Sequence, residues 1–113
     1  MKIECECGKL ITDGTDFLRY KGYILADQDH DHFYDAIDEA IEKSGPSAAD
    51  KENACMDVRC LSVFRMMYQC TECGSIYIND WSGNLHQFSP RSKSSPKTLL
   101  QSKRSAQQSP PSI

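Results

Sequence analysis

Short runs in which apolar and polar residues alternate lie at both ends of the first 88 residues. Near the start, Ile3 and Cys5 alternate with polar neighbours, and Leu10-Ile11-Thr12 returns after Gly8. Near the end of this part, Ile76-Tyr77-Ile78 and Leu85-His86-Gln87-Phe88 flank a turn that contains Gly83. Alternation with a period of two is typical of strands that bury one face. We therefore expect short strands at both ends of the folded part.

Three further stretches have the β-branched and aromatic content of strands. They are 17–20, 22–26 and 63–68, and the second begins just after Lys21. Asp13-Gly14 lies before the first of them and is a hairpin turn signal. These stretches predict additional strands between the two ends.

The stretch 31–44 has the apolar period of a helix rather than of a strand. Its apolar residues share one face: Phe33, Ile37, Ala40 and Ile41. Asp31 is a fair N-cap, and Ser44-Gly45-Pro46 is a stop signal. The pattern predicts an amphipathic helix over 31–44.

A second helix is predicted over 47–62. Ser47 with Asp50 resembles a capping box, and the apolar face consists of Ala54, Val58 and Leu61. Cys55 and Cys60 are five residues apart and point about 140° away from each other on a helix. They therefore do not share a ligand, and we predict buried free thiols.

Residues 89–113 differ in composition from the rest of the chain. They contain eight Ser and four Pro but few apolar side chains, so they bury too little surface to offset their ordering entropy. We predict one α+β domain over residues 1–88 and a disordered tail over 89–113. A chain ending near residue 90 should then keep its melting temperature.

The net charge of −3 hides a division between these two parts. Residues 1–88 carry eight Lys or Arg against sixteen Asp or Glu, a net charge of −8, whereas the tail carries five cations and no acid. An acidic body repels phosphate backbones and attracts basic partners.

Two cysteine pairs, each followed by glycine, are the strongest chemical motif. They are Cys5-Glu6-Cys7-Gly8 and Cys70-Thr71-Glu72-Cys73-Gly74. Four thiolates complete a tetrahedral zinc site, and a site closed in this way is structural. Cys5, Cys7, Cys70 and Cys73 therefore predict one structural zinc site. The spacing does not distinguish zinc from iron, and four reduced cysteines in the core are the alternative.

Acidic residues form a stripe on the polar face of the first predicted helix. The stripe consists of Asp31, Asp35, Asp38 and Glu42, which recur at i, i+4, i+7 and i+11. Like charges at this spacing repel one another and slightly destabilise a helix. The stripe is thus a candidate docking surface for a basic protein. Trp81, at a predicted turn, is a candidate anchor or else a lid on the core.

Several other classes of protein find no support in the sequence. It contains no catalytic Ser/His/Asp order, no Gly-rich phosphate loop and no HExxH motif, so we expect a non-catalytic protein. No run approaches the ~20 apolar residues of a membrane span, and the start has no apolar stretch typical of an export signal. We therefore expect a cytoplasmic protein with reduced cysteines.

The two knuckles, Cys5-x-Cys7-Gly8 and Cys70-x-x-Cys73-Gly74, resemble those of the zinc-ribbon class. The resemblance covers about a third of the body and implies a zinc-ribbon-like antiparallel sheet, here with two inserted helices. The whole body is similar to small bacterial zinc-ribbon proteins, and its size and acidity resemble immunity proteins that block a toxin. These resemblances imply an inhibitor of a basic, nuclease-like toxin. The alternative is a nucleic-acid-binding zinc ribbon in transcription or translation.

Overall fold

A two-stranded hairpin forms at the start of the chain, as the alternation predicted. In the computed structural model, which describes residues 2–15 and 17–104, β1 (Lys2–Glu4) pairs antiparallel with β2 (Leu10–Thr12). Ile3 lies opposite Ile11, and both side chains are buried. Each strand exposes its first and last residues, which is the pattern expected of a hairpin with one covered face.

A second sheet contains four strands in the order β3-β4-β5-β6. The strands are β3 (Lys21–Leu25), β4 (Phe64–Gln69), β5 (Ile76–Asn79) and β6 (Leu85–Phe88). β5 pairs antiparallel with both of its neighbours, and Tyr77 lies opposite Tyr68. The β5–β6 turn uses Gly83 at φ +88°, the left-handed region that glycine enters without steric cost.

Two helices separate β3 from β4. They are α1 (Asp27–Lys43) and α2 (Ala48–Arg59). Ser47 caps α2 as predicted, because its hydroxyl accepts the Asp50 backbone N–H at 3.1 Å. The prediction that Asp31 caps the first helix is wrong. α1 begins four residues earlier, after Ala26, which provides no side-chain cap.

The fold is therefore α+β, as predicted, and the chain divides into two units. The ribbon unit comprises Met1–Tyr23 and Arg65–Ile113, and the helical unit comprises Ile24–Phe64. No helix in the described ranges is long and apolar enough to cross a membrane.

The strand predicted over 17–20 is wrong. Phe17 adopts φ +61°, which an extended strand cannot contain, and its side chain is fully exposed. The chain turns here, and Tyr20 instead donates its hydroxyl hydrogen to the Thr12 carbonyl at 2.6 Å. Apolar content alone predicted a strand where the backbone makes a turn.

The core of the ribbon unit lies between the hairpin and one face of the larger sheet. Its buried apolar residues are Ile3, Cys5, Ile11, Tyr68, Cys70 and Tyr77. Two of these are cysteines of the predicted metal site, so the site is continuous with the core.

A half-buried network of hydrogen bonds links the end of the hairpin to the larger sheet. The Tyr68 hydroxyl donates to Asp13 Oδ2 at 2.6 Å, and Lys21 Nζ lies 2.9 Å from the same oxygen. The bond from Tyr68 and then that from Lys21 lower the pKa of Asp13. Burial and the Asp13 bond raise the pKa of Tyr68. Asp13, predicted as part of a hairpin turn, is thus an anchor of the core.

Replacing Asp13 with alanine should lower the free energy of unfolding by about 2 kcal/mol, because a buried tyrosine hydroxyl loses a charged partner. The folded-state pKa of Asp13 is lowered, so its contribution is present above the unfolded pKa of about 3.9 and is lost as pH falls through the folded value. Urea titrations across acidic pH measure both effects. Glu39→Ala removes an exposed ion pair with Lys43 and serves as the control. Equal effects of the two variants would contradict the prediction.

Part of the predicted tail contacts the other face of the sheet. The Gln69 side chain is 1% exposed, and its amide nitrogen donates to the Pro96 carbonyl at 3.0 Å. Its amide oxygen accepts the Leu99 backbone N–H at 2.8 Å. The segment around Pro96 and Leu99 is therefore hydrogen-bonded to the sheet through this one side chain. The division at residue 88 itself stays a prediction, and residues 105–113 lie outside the described residues.

Candidate metal centre

The first cysteine knuckle closes the β1–β2 hairpin. The Gly8 N–H donates to the Cys5 carbonyl at 2.9 Å, and the Cys5 N–H donates to the Lys9 carbonyl at 2.9 Å. Gly8 adopts φ +96°, and a Cβ at this position would meet no atom within 4 Å. The backbone conformation, rather than lack of space, is the reason for glycine here.

The second knuckle joins β4 to β5 in a similar way. The Gly74 N–H donates to the Cys70 carbonyl at 2.9 Å, and the Cys70 N–H donates to the Ser75 carbonyl at 2.8 Å. Gly74 adopts φ +84°. The knuckles thus share their pattern of bonds, although the second contains one more residue. The shorter Cys-x-Cys spacing still forms a closed turn.

The two knuckles bring all four predicted ligands together. The sulfur atoms of Cys5, Cys7, Cys70 and Cys73 lie within 4.8 Å of one another. The Cys5–Cys73 and Cys7–Cys70 sulfur distances are both 3.5 Å. A tetrahedral zinc ion with bonds of about 2.3 Å needs sulfurs about 3.8 Å apart. The cluster can therefore hold a metal ion with small adjustments of the side chains.

The four thiols differ in exposure. Cys5 and Cys70 are buried and Cys73 is half-buried, whereas Cys7 is exposed. The site thus lies at the edge of the core, with Cys7 as its solvent-facing member.

Hydrogen bonds affect the thiols unequally. The pKa of Cys73 is lowered to about 6, because the side-chain bond with Ser75, the Ser75 backbone bond and the bonds to Cys5 and Cys7 together outweigh the opposing effect of burial. The Lys9 backbone bond lowers the pKa of Cys7, but bonds to the other three sulfurs and partial desolvation of its own sulfur, in an otherwise exposed residue, raise the pKa to about 12. Repulsion between four neighbouring thiolates makes it unfavourable for all four thiols to lose their protons unless a cation is bound. A bound metal ion replaces those protons.

A buried tyrosine beside the cluster is consistent with thiolates, rather than thiols, at the cysteines. The Tyr77 hydroxyl is buried and has no hydrogen-bond partner of ordinary geometry within residues 2–15 and 17–104. Burial, and next its proximity to Cys5, raise the pKa of Tyr77. A buried donor without an acceptor is costly, and a thiolate at Cys5 would supply that acceptor.

Ser75 belongs to a small polar network beside the cluster. Its hydroxyl lies 3.2 Å from Cys73 Sγ and 3.3 Å from Ser89 Oγ. Gln87 Nε2 donates to Ser75 Oγ at 3.5 Å. Such outer partners orient metal ligands and hold their lone pairs in place.

The acidic stripe lies along α1, separate from the cysteine cluster. Asp31, Asp35, Asp38 and Glu42 are all exposed. His30 Nδ1 is 3.6 Å from Asp31 Oδ1, and the other three carboxylates form no ion pair within the described part of the chain. Most of the negative charge on this face is therefore not neutralised by the chain itself.

Trp81 lies in the ribbon unit, at the β5–β6 turn. Its side chain is 60% exposed, and the Arg65 guanidinium lies 5.0 Å from the ring centroid. An exposed ring stacked on a cation is available to a ligand. The stripe and Trp81 belong to different units of the chain.

A model of a domain family of unknown function, DUF8617, matches residues 1–96. The chain belongs to the DUF8617 family. The matched region contains both cysteine knuckles and both helices of this DUF8617 chain. No curated protein and no solved structure matches the chain.

Sequence reasoning missed the residues that surround the cysteines in this DUF8617 protein. Ser75 directly precedes β5, Tyr77 is the second residue of β5, and Gln87 lies opposite Tyr77 on β6. Their alternation was a usable signal, because every second residue on these strands faces the core. The pairing that brings them to Cys5 and Cys73 depends on long-range contacts.

The prediction that Cys55 and Cys60 are buried is wrong, because both are exposed. Cysteine is usually buried in folded proteins, but α1 and α2 have no fully buried residue. A pair of helices offers too little cover to bury residues on their outer sides.

Proposed function

We propose that this chain is a non-catalytic protein-binding module, in which a metal centre stabilises the ribbon unit and an acidic helical unit docks on a basic protein. The separation of charge between the two units carries the proposal. Residues 24–64 carry ten Asp or Glu against three Lys or Arg, a net charge of −7. The remaining residues carry ten Lys or Arg against six Asp or Glu, a net charge of +4.

Zinc is the metal that we propose for the cysteine cluster. Four sulfurs at near-tetrahedral distances satisfy zinc completely and leave no open coordination position. A closed site of this kind contributes to folding rather than to catalysis. This fits a chain in which six apolar residues are buried among the described residues of the ribbon unit.

The docking surface is the acidic stripe of α1. Its four exposed carboxylates recur at helical spacing and repel one another, so they do not serve the stability of the helix. Such a field accelerates the approach of a cationic surface, and the effect weakens with salt. The sharpest form of the proposal is an immunity protein that blocks the cationic cleft of a nuclease-like toxin.

Reversing two charges of the stripe should weaken this binding without unfolding the protein. Asp35→Lys/Asp38→Lys should slow association with a basic partner by about tenfold at low ionic strength, and the loss should shrink at high salt. Pull-down from the source cell, followed by binding kinetics with the recovered protein, measures the effect. Thermal unfolding should change little, because repulsion between neighbouring carboxylates is relieved.

The matched control is Glu52→Lys/Asp57→Lys, which changes the charge of the same unit by the same amount on the exposed surface of α2. The control should retain more of the association rate than the stripe variant. Equal recovery of the same partner by wild type and stripe variant at every salt concentration would refute the docking role.

A nucleic-acid-binding ribbon is the second candidate, and the charge of the ribbon unit supports it. This unit carries a net charge of +4 and exposes Trp81 stacked on Arg65. A cation beside an exposed aromatic ring can contact a phosphate and stack on a base. Co-purified RNA or DNA that is lost in Trp81→Ala, and retained in the stripe variant, would favour this function.

A further inference from the structure

We propose that the groove between α1 and α2 binds an amphipathic helix of the partner, with basic residues along one flank of its apolar ridge and acidic residues along the other. This inference deepens the docking function proposed above and rests on it. It names the secondary structure and charge pattern that the partner must present.

The groove is open and mostly apolar. It has a volume of about 580 Å³, and α1 and α2 contribute apolar residues on its two sides. The main ones are Ile37, Ala40, Ile41, Ala54 and Val58. Apolar side chains along a groove between two helices are the usual receptor for the ridge of a third.

The helix pair leaves much of this apolar surface uncovered. Neither helix has a buried residue, and Ile41 is 70% exposed. Tyr34, about 20° around the axis from Ile41, is 52% exposed. Helices in proteins gain most of their stability from packing an apolar face, and this face lacks part of its cover.

The α1 side of the groove leads directly to the acidic stripe. Successive residues of an α-helix are about 100° apart around the axis, so the side chains of Asp38 and Ile41, three residues apart, are separated by about 60°. Glu42 is about 100° from Ile41 around the axis, on the same side as Asp38, and both carboxylates are exposed. A helix seated on Ile41 would therefore have one flank facing these carboxylates.

The α2 side of the groove has the opposite charge. Lys51, Cys55 and Arg59 line it at i, i+4 and i+8, so they form one row along the helix. Neither cation forms an ion pair in the described part of the chain, whereas the third cation of this unit, Lys43, pairs with Glu39 at 2.8 Å. The two cations left without an acid both border the groove.

This arrangement of charges selects the occupant. A second copy of the chain would bring a second helical unit of −7 against the first, so repulsion opposes self-association through this face. A small anion would satisfy Lys51 and Arg59 but would leave the apolar floor and the acidic flank without partners. A helix with a basic flank, an apolar ridge and an acidic flank matches all three strips at once.

The test uses a synthetic helical peptide of about four turns, with leucines at i, i+3, i+4 and i+7, lysines along one flank and glutamates along the other. A control peptide carries glutamates on both flanks. Exchanging the two flanks is not a control, because the helix can reverse its direction in the groove.

The readout is the rate at which iodoacetamide alkylates Cys55 in the metal-loaded protein, followed by peptide mapping. Cys55 lines the groove and is exposed, whereas Cys60, also exposed, does not line it and serves as an internal control. The mixed-flank peptide should slow alkylation of Cys55 by at least about tenfold at saturation and leave Cys60 unaffected. The all-glutamate peptide should protect Cys55 much less.

Three variants locate the contact. Ile41→Asp and Lys51→Glu/Arg59→Glu should each raise the concentration needed for protection by about tenfold or more, with circular dichroism confirming that the helices persist. Asp35→Lys/Asp38→Lys should do so to a smaller extent. Equal protection of Cys55 and Cys60, or no protection of Cys55, would overturn the inference.

The outcomes separate this inference from the docking function on which it rests. If the cellular partner loses affinity for Asp35→Lys/Asp38→Lys but not for Ile41→Asp, the stripe docks and the groove proposal fails. If the peptide protects Cys55 equally in wild type and the stripe variant, the carboxylates do not contact its basic flank, and both the proposed charge pattern and the docking role of the stripe fail.

Discussion

Cys70→Ser is expected to abolish metal binding and to lower the free energy of unfolding by about 3–5 kcal/mol, because the binding energy of a structural metal is folding energy. Cys70 is completely buried, and its sulfur lies 3.5 Å from that of Cys7. A serine hydroxyl is a poor ligand for zinc. It also leaves a polar group in a core position.

Metal analysis and native mass spectrometry of protein purified without added metal measure the first effect. The wild type should hold one zinc ion per chain and the variant less than half an equivalent. Urea unfolding measures the second effect. Iron in place of zinc would change the identity of the metal but not the site, because both ions accept four thiolates.

Cys60→Ser is the matched control. Cys60 is exposed at the end of α2 and is not one of the four clustered cysteines, so its replacement should change stability by less than about 0.5 kcal/mol. A wild-type protein that is folded with less than half an equivalent of metal would contradict the site. So would equal losses of stability in the two variants.

The ligands could be predicted from the sequence because each knuckle is a local structure. Gly8 and Gly74 permit the left-handed backbone that turns each pair of cysteines inward, and this need is visible in the sequence. The strands beside the first knuckle and after the second follow from period-two alternation, and β4 follows from its β-branched and aromatic content. Local chemistry therefore predicted both the strands and the cysteine pairs that they position.

The residues around the ligands could not be predicted in the same way. Asp13 looked like part of a turn, yet it accepts the hydroxyl of Tyr68, which is 55 residues away in the sequence. Likewise, nothing in the sequence around Gln69 indicates that its side chain bonds to Pro96 and Leu99, about 30 residues later in the chain. Contacts between distant segments determine these roles, and composition does not record them.

Composition also failed to predict the hydrogen bonds that the tail forms with the sheet. Its serines and prolines predict disorder because they bury little apolar surface. The contact that holds the described part depends instead on backbone groups, the Pro96 carbonyl and the Leu99 N–H, which every sequence has. A buried glutamine side chain can fix a segment of low hydrophobicity by hydrogen bonds alone.

Removing this segment is therefore expected to destabilise the protein, contrary to the expectation from composition. In a chain that ends at residue 90, Gln69 loses two of its three side-chain bonds and keeps the bond to the Gly74 carbonyl. The truncation also removes Leu100, which packs beside Gly22 of β3. A Cβ added to Gly22 would lie 3.4 Å from side-chain atoms of both Leu100 and Met67, so there is little free space at this contact. We expect a loss of about 2 kcal/mol, since water can solvate the amide that is left behind.

A loss of this size corresponds to a fall in melting temperature of roughly 8–16 °C for a domain of this length. A chain ending at residue 104 is the control and should melt like the full chain, because it retains every described contact of the tail. Gln69→Leu provides a second check. If the glutamine links the segment to the sheet, truncation at residue 90 should cost less in Gln69→Leu than in the wild type, which a double-mutant cycle measures. An unchanged melting temperature after truncation at residue 90 would mean that the segment does not stabilise the sheet.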